Sequence, residues 1–354
     1  MTKEEAEKKL RSVSFIKSGS TLLDLALGGG WALGRVSNLV GDRSSGKTLL
    51  AIEAFANFVR SFPKGLMGYG EAESAFDEDY AATLGFPDNV YRPPNQLTTV
   101  EEWYDDLNKF IAKCSSAKVP GIYILDTLDA LTDEAELKKV KEAAKAREDN
   151  ESAAGDYGAA KAKKLSQFFR VLNSKVAEAD IHLMVISQVR ENIGTMSGNH
   201  YSRSGGKALD FYASQILWLV ETGKISKQSL NQERVLGITV ESNTKKCKVG
   251  LPHRKVEFPI MFGYGVDDEV SLLDFLNSTG RLISKKAEAK LVDGKQVDIP
   301  AVNEFKELTT KLQESRKSQD RVTLAALSLD IQERAKKTWW EIEDKLKPPM
   351  SKYS

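Results

Sequence analysis

The chain contains no uninterrupted apolar run of roughly 18 residues, the length a helix needs to cross a bilayer, which argues against a membrane span. It begins Met1-Thr-Lys-Glu-Glu, charged and without an apolar stretch, which argues against a secretory leader. Two cysteines, Cys114 and Cys247, and three histidines, His182, His200 and His253, never fall at metal-ligand spacing, so a zinc site is not expected. So few scattered cysteines suit a reducing compartment, and a cytoplasmic location is expected. Charge is also nearly absent in sum, at +1, so any basic binding surface must be local.

What is present is an ordinary globular balance over 354 residues, with 41% hydrophobic and 29% charged. At about 150 residues per domain, the length suggests two domains. Short apolar runs, VSNLV, GIYILD and IHLMVISQ, alternate with longer helical stretches from Arg35 to about Asp267. That pattern predicts an α/β fold with a mostly parallel twisted sheet flanked by helices. The later runs ILWLVE, VLGITVES and KVEFPIMF are separated by short polar turns, so the sheet is expected to end in antiparallel strands. Residues 1–30 read as an N-terminal helix and subunit-docking segment, 31–270 as the core, and 271–354 as a small, mainly helical domain with a basic tail. Residues 132–156 are charged and alanine-rich, and read as a solvated insertion.

Gly41-Asp42-Arg43-Ser44-Ser45-Gly46-Lys47-Thr48 fits G-x-x-x-x-G-K-[ST] between a strand and a helix that continues through Leu49. The glycines let backbone N–H groups curl around phosphates, and the helix N-terminus adds partial positive charge. Lys47 is expected to reach the β- and γ-phosphates and Thr48 to ligate Mg²⁺. Asp126, at the end of the strand GIYIL, stands where a second Mg²⁺-orienting carboxylate belongs. A further acid must activate water; Glu71 and Glu73 both follow the strand GLMGYG, and spacing alone does not choose between them.

Beyond the phosphate loop, the stretches SGSTLLDLALGGG, AESAFDEDYAATLG, IYILDTLDAL, ISQVRENIGTM, SGGKALDFYAS and NTKKCKVGLPHRKVEFPIMFGYG resemble the RecA family of homologous-recombination ATPases. The resemblance runs from before Ser18 to about Asp267 and implies the RecA-like fold, with ATP and Mg²⁺ as cofactors. The short N-terminus, charged insertion and unusual C-terminus point to a phage-encoded member, working in the host cytoplasm.

The resemblance implies roles residue by residue. Glu73 is the catalytic base, Tyr80 packs on adenine, and Asp77 stands where an adenine contact is expected. Gln188 senses the γ-phosphate and couples it to a second DNA-binding loop, 189–206. That loop would act through Arg190, Asn192, Asn199, Arg203, Gly205 and Gly206, with His200 or Tyr201 as the wedge between bases. A first DNA loop near 132–164 would use Lys161, Lys163, Lys164 and Arg170. Phe211 matches a phenylalanine that packs on the neighbouring subunit, whereas Asp210 replaces a commonly basic residue. Lys246 and Lys248, as K-x-K on an extended segment, share a face. In the family, such lysines reach the ATP of the adjacent subunit.

The reading is an ATP-dependent strand-exchange recombinase, filamentous on single-stranded DNA, for homologous recombination and repair. Its expected partners are single-stranded DNA, homologous double-stranded DNA and further copies of itself, with a single-strand-binding or mediator protein as an additional one. A RecA-fold ring helicase shares the phosphate loop, Asp126 and Glu73. An ATP-regulated scaffold filament without strand exchange is the third reading.

Overall fold

The computed structural model describes residues 13–138, 142, 159–191, 201–203, 206–285, 288–292, 295–299 and 302–347, with backbone alone at 159–160, 190–191, 201–203, 206–207, 285, 288–292, 295–299 and 302. It divides into two compact units, residues 1–266 and 267–354. No helix among the described residues is long and apolar enough to cross a membrane.

The first unit is built on one large sheet. Strands β3 (Val36–Gly41), β4 (Leu66–Glu71), β5 (Gly121–Asp126), β6 (Ile181–Glu191) and β8 (Gln215–Ser229) run parallel, in the spatial order β8-β3-β6-β5-β4. Strands β9 (Gln232–Cys247), β10 (Lys255–Met261) and β11 (Gly265–Val266) extend the β8 edge antiparallel. The mixed sheet is the one the apolar runs predict. Every residue of β3 and β5 is buried, as expected for central strands covered on both faces.

Helix α2 (Lys47–Ser61) follows β3, and α4 (Val100–Ala117) and α5 (Ala159–Glu178) follow β4 and β5. The start of α4 is fixed by a capping box, Thr99 and Glu102 each bonding the other's backbone N–H. α4 and α5 cover one sheet face through Trp103, Phe110, Phe169 and Leu172, all at most 1% exposed. Each such leucine or phenylalanine stabilises the fold by roughly 1.5–3 kcal/mol. α2 covers the other face, where Phe55 meets Tyr69 of β4 edge-on, ring centroids 6.2 Å apart.

Residues 13–30 are folded into the first unit. β1 (Phe15–Ile16) pairs with β2 (Trp31–Ala32), and Leu22 and Leu23 of α1 (Thr21–Ala26) are buried in the first unit. Gln215 ties this clasp to the sheet. Fully buried, it accepts from the Ala32 N–H and donates to the carbonyls of Leu27 and Gly30. Residues 1–12, where the expected N-terminal helix would begin, lie outside the described residues, as does most of the 132–156 insertion.

The second unit is less purely helical than its composition suggests. Between α7 (Asp268–Ser278) and α8 (Glu304–Lys317) lie two two-stranded sheets, β12 (Ser284–Lys285) with β15 (Val302–Asn303) and β13 (Glu288–Val292) with β14 (Lys295–Ile299), and α9 (Arg321–Leu346) follows α8 directly. Arg316 grips Asp267 with both guanidinium arms at 2.7 Å and reaches Glu269 at 2.9 Å. Of the adjacent tryptophans, Trp339 is buried beside Phe275 and Trp340 is exposed.

Candidate nucleotide site

The parallel strands β3, β4, β5 and β6 deliver the ends of the site, since Gly41, Glu71, Asp126 and Gln188 all lie at or near their C-terminal ends. A pocket of about 590 Å³ there is lined by Arg43, Ser44, Lys47, Thr48, Ala72, Glu73, Asp126, Thr127, Ala130 and Gln188. Gly41 is the loop's tightest point; a Cβ there would lie 2.4 Å from Ser45 Oγ and 2.9 Å from the Leu219 carbonyl. Gly46 caps α2 at φ 85°, the left-handed region that favours glycine. Ser45 donates to the Asp42 carbonyl, closing the loop.

Lys47 is buried at the pocket floor, its Nζ donating to the Asp42 carbonyl at 2.6 Å. Burial pulls its pKa below the ordinary lysine value, opposed by the charges of Asp126, Glu73, Asp42 and Asp129. Thr48 Oγ1 donates to Asp126 Oδ2 at 2.7 Å, and the Tyr69 hydroxyl donates to the same oxygen at 3.0 Å. Burial pushes the Asp126 carboxyl above its usual range, and the two hydroxyls pull it back. The Leu49 side chain, by contrast, is buried among the core residues.

The two acids separate. Glu73 Oε1 accepts from the Thr127 hydroxyl at 2.7 Å and from Gln188 Nε2 at 2.8 Å, inside the pocket lining. Glu71 Oε1 accepts from the backbone N–H of Ala75 and Phe76, so it braces the turn that carries Glu73. The Gln188 backbone N–H donates to Asp129 Oδ2 at 2.7 Å. Tyr69, Thr127 and Asp129 were not singled out from the sequence. The register of β4 on β5, Glu71 opposite Asp126, is what brings them in.

Asp77 does not line the pocket. Its carboxylate caps α3 (Glu78–Thr83) by accepting from the Tyr80 N–H at 2.9 Å, which orients Tyr80. Tyr80 is exposed, and its hydroxyl accepts from the Gly263 N–H at 3.4 Å.

β6 does not end at Gln188. Its residues 189–191 pair antiparallel with β7 (Tyr201–Arg203), so the expected loop starts and closes as a hairpin. Arg190, Tyr201, Arg203 and Gly206 are described by backbone alone, and Asn192, Asn199, His200 and Gly205 lie outside the described residues. On α5, the expected basic cluster splits. Lys161 Nζ donates to the carbonyls of Leu128 and Leu131, and Lys164 pairs with Glu101, so both turn inward onto the core. Lys163 and Arg170 are exposed two turns apart on one face.

Phe211, at the end of α6 (Gly206–Tyr212), is 71% exposed. Lys246 Nζ donates to the carbonyls of Asp210 and Phe211, and exposed Lys248 lies just past the end of β9. Neither lines the pocket. Lys246 lies level with Ile216 and Asn38, so by strand spacing its Cα is roughly 14 Å from Gly41.

The donor set fits a small hard cation. A hydroxyl can give its proton to a carboxylate and present a lone pair to Mg²⁺, and Thr48 and Asp126 stand in that relation beside the loop that would hold phosphates.

A family model described as the RecA N-terminal domain matches residues 2–267. The chain is 32% identical over 318 residues to Protein RecA of Bacteroides thetaiotaomicron, covering 86% of this chain and 87% of that protein. It is 31% identical over 293 residues to Protein RecA 2 of Myxococcus xanthus, covering 82% and 75%. It is 34% identical over 271 residues to Protein RecA of Staphylococcus carnosus, covering 76% and 69%. With its fold and phosphate loop, the chain belongs to the RecA family of ATP- and DNA-binding recombination and repair proteins.

Proposed function

We propose that this chain is an ATP-dependent strand-exchange recombinase, assembling as a helical filament on single-stranded DNA and hydrolysing ATP at its subunit interfaces. The observation that carries the reading is the Glu73–Gln188 hydrogen bond within the pocket that Lys47 and Thr48 line. It joins the group proposed as base to the strand that leads into segment 189–206, the proposed DNA loop. A change at the γ-phosphate then has a two-residue route to DNA.

Each pocket group has a part in that reading. Lys47 and the loop N–H groups bind the triphosphate, and Thr48 and Asp126 hold Mg²⁺, which neutralises phosphate charge. Glu73, oriented by Thr127 and Gln188, accepts the proton of the attacking water. Lys246 and Lys248 cannot serve their own pocket from across the sheet, which supports a role at the neighbouring subunit's phosphates. Exposed Phe211, beside Lys246, is the proposed interface contact. Lys163 and Arg170 are proposed to meet DNA phosphates, with Lys161 and Lys164 supporting the loop from inside. Binding should weaken with salt as counterions are released.

Electron microscopy with single-stranded DNA and a non-hydrolysable ATP analogue tests the assembly. Open helices are expected; closed hexameric rings would favour a helicase-like motor. A joint-molecule assay with homologous duplex then decides strand exchange, and helices that form no joint molecules would leave a scaffold filament.

A further inference from the structure

Tyr69 sits in β4, 2% exposed, two residues before Glu71. Its ring is held on several sides: Phe55 of α2 edge-on at 6.2 Å, Phe76 at 4.7 Å, Phe86 at 6.0 Å between centroids. The Arg92 guanidinium lies 5.9 Å from the same ring. A ring so enclosed has no room to swing, so its hydroxyl arrives at one place, Asp126 Oδ2. Thr48 Oγ1 arrives at the same oxygen from α2. Three elements, β4, β5 and α2, therefore meet at one carboxylate oxygen on the pocket wall.

From this we infer that Tyr69 is a positioning residue for the metal-holding pair, its hydroxyl fixing the Asp126 carboxylate so that Thr48 presents its lone pair to a divalent cation. The inference rests on the nucleotide-site reading above. A phenylalanine would fill the same apolar space; the hydroxyl is the atom that packing does not require. Without it, Asp126 keeps Thr48 as its donor but can rotate about its side-chain bonds, and Thr48 loses a fixed acceptor. Groups that orient metal ligands from behind in this way typically change metal affinity by about 10–100-fold when removed.

The test is Tyr69→Phe in the full chain, with Mn²⁺ as the probe. Mn²⁺ bound in the presence of ADP is measured by its electron paramagnetic resonance signal, and ADP binding without metal is measured separately. The expected result is Mn²⁺ affinity weakened by ~10-fold or more, with metal-free ADP binding and melting temperature close to wild type. Phe86→Leu disturbs the same ring cluster but removes no hydroxyl; it should lower the melting temperature and leave Mn²⁺ affinity in place. Wild-type Mn²⁺ affinity in Tyr69→Phe would overturn the inference, as would an equal loss in Phe86→Leu, since packing would then be the cause. A wild-type chain with no ADP-dependent Mn²⁺ site would instead overturn the nucleotide reading on which the inference stands.

Discussion

The two ends of the parallel sheet are both rich in polar side chains and use them differently. Where the strands begin, polar atoms are buried and paired within the chain. His182 lies between Ser37 Oγ at 2.9 Å and the Ala32 carbonyl at 2.8 Å, and Gln215 spends its amide on three backbone groups. Where the strands end, Lys47, Thr48, Glu73 and Gln188 line an open pocket. At one end the hydrogen bonds tie the clasp to the sheet; at the other, the hydrogen-bonded groups are gathered around a pocket. Lys246 and Lys248 complicate this division. They lie toward the beginning end, yet the proposed mechanism needs them at a phosphate, and a second subunit reconciles the two.

The sharpest break of that division is Lys47→Ala at the pocket end. It removes the cation at the pocket floor, and steady-state ATPase activity should fall to background with or without DNA. Turnover close to wild type would sink the reading of the site.

Lys248→Ala comes next and tests the other end. Lys248 is exposed, whereas Lys246 also holds the carbonyls that close α6, so Lys248→Ala is the cleaner variant and Lys246→Ala adds a local cost. DNA-stimulated turnover should drop by ~10³, the low end for a cation acting in trans at a transferring phosphoryl group. ATP binding by the single subunit should persist. Mixing this variant with Lys47→Ala should restore part of the activity, because some interfaces then pair an intact loop with an intact lysine. No recovery, with co-assembly shown independently, would place the lysine away from the nucleotide.

Glu73→Gln is expected to be smaller. The amide keeps the shape and much of the hydrogen bonding to Thr127 and Gln188 but cannot take a proton, so turnover should drop by ~10² or more while ATP binding and assembly persist. A larger loss from Glu71→Gln would reverse the assignment, although Glu71 is occupied by the N–H groups of Ala75 and Phe76.

How much of this was legible in the sequence follows from how local each signal is. The phosphate loop and the alternation of apolar runs are local, and they led to the sheet, to Lys47 and Thr48 and to Asp126. Glu71 and Glu73 could not be separated by spacing, because what separates them is a turn closing on Glu71 and the distant approach of Thr127 and Gln188. Tyr69 reads as one more apolar strand residue; its hydroxyl matters through register with β5. The inward turn of Lys161 and Lys164 depends on Leu128, Leu131 and Glu101, roughly 30 or more residues away along the chain. The β13–β14 hairpin was overlooked because its strands are charged, yet Asp293-Gly294 between them is a two-residue hairpin signal.

The smallest expected effect concerns stability at the beginning end, where two buried groups titrate in opposite senses. Burial lowers the His182 pKa from 6.5 to about 4, the Ala32 carbonyl opposing it. Burial raises Asp24 from 3.8 to about 6 against the pull of Lys17 and Ser18. Below pH 6.5 the unfolded chain protonates His182 while the fold does not, so its contribution falls until about pH 4. Asp24 runs the other way: the stability from its protonated form is complete below pH 3.8 and is lost as pH rises through about 6. Each gap corresponds to about 3 kcal/mol, so the two nearly cancel across the window. His182→Gln should therefore gain about 3 kcal/mol relative to wild type on going from pH 7 to pH 4, whatever its absolute stability. Asp24→Asn should lose a similar amount relative to wild type over the same range. Urea unfolding midpoints at both pH values measure the two differences, and ATPase activity at pH 7 should remain near wild type in both variants. Shifts of the same sign would mean that these groups are not the ones titrating, and a collapse of turnover in the folded variants would mean that the two ends of the sheet are not separable.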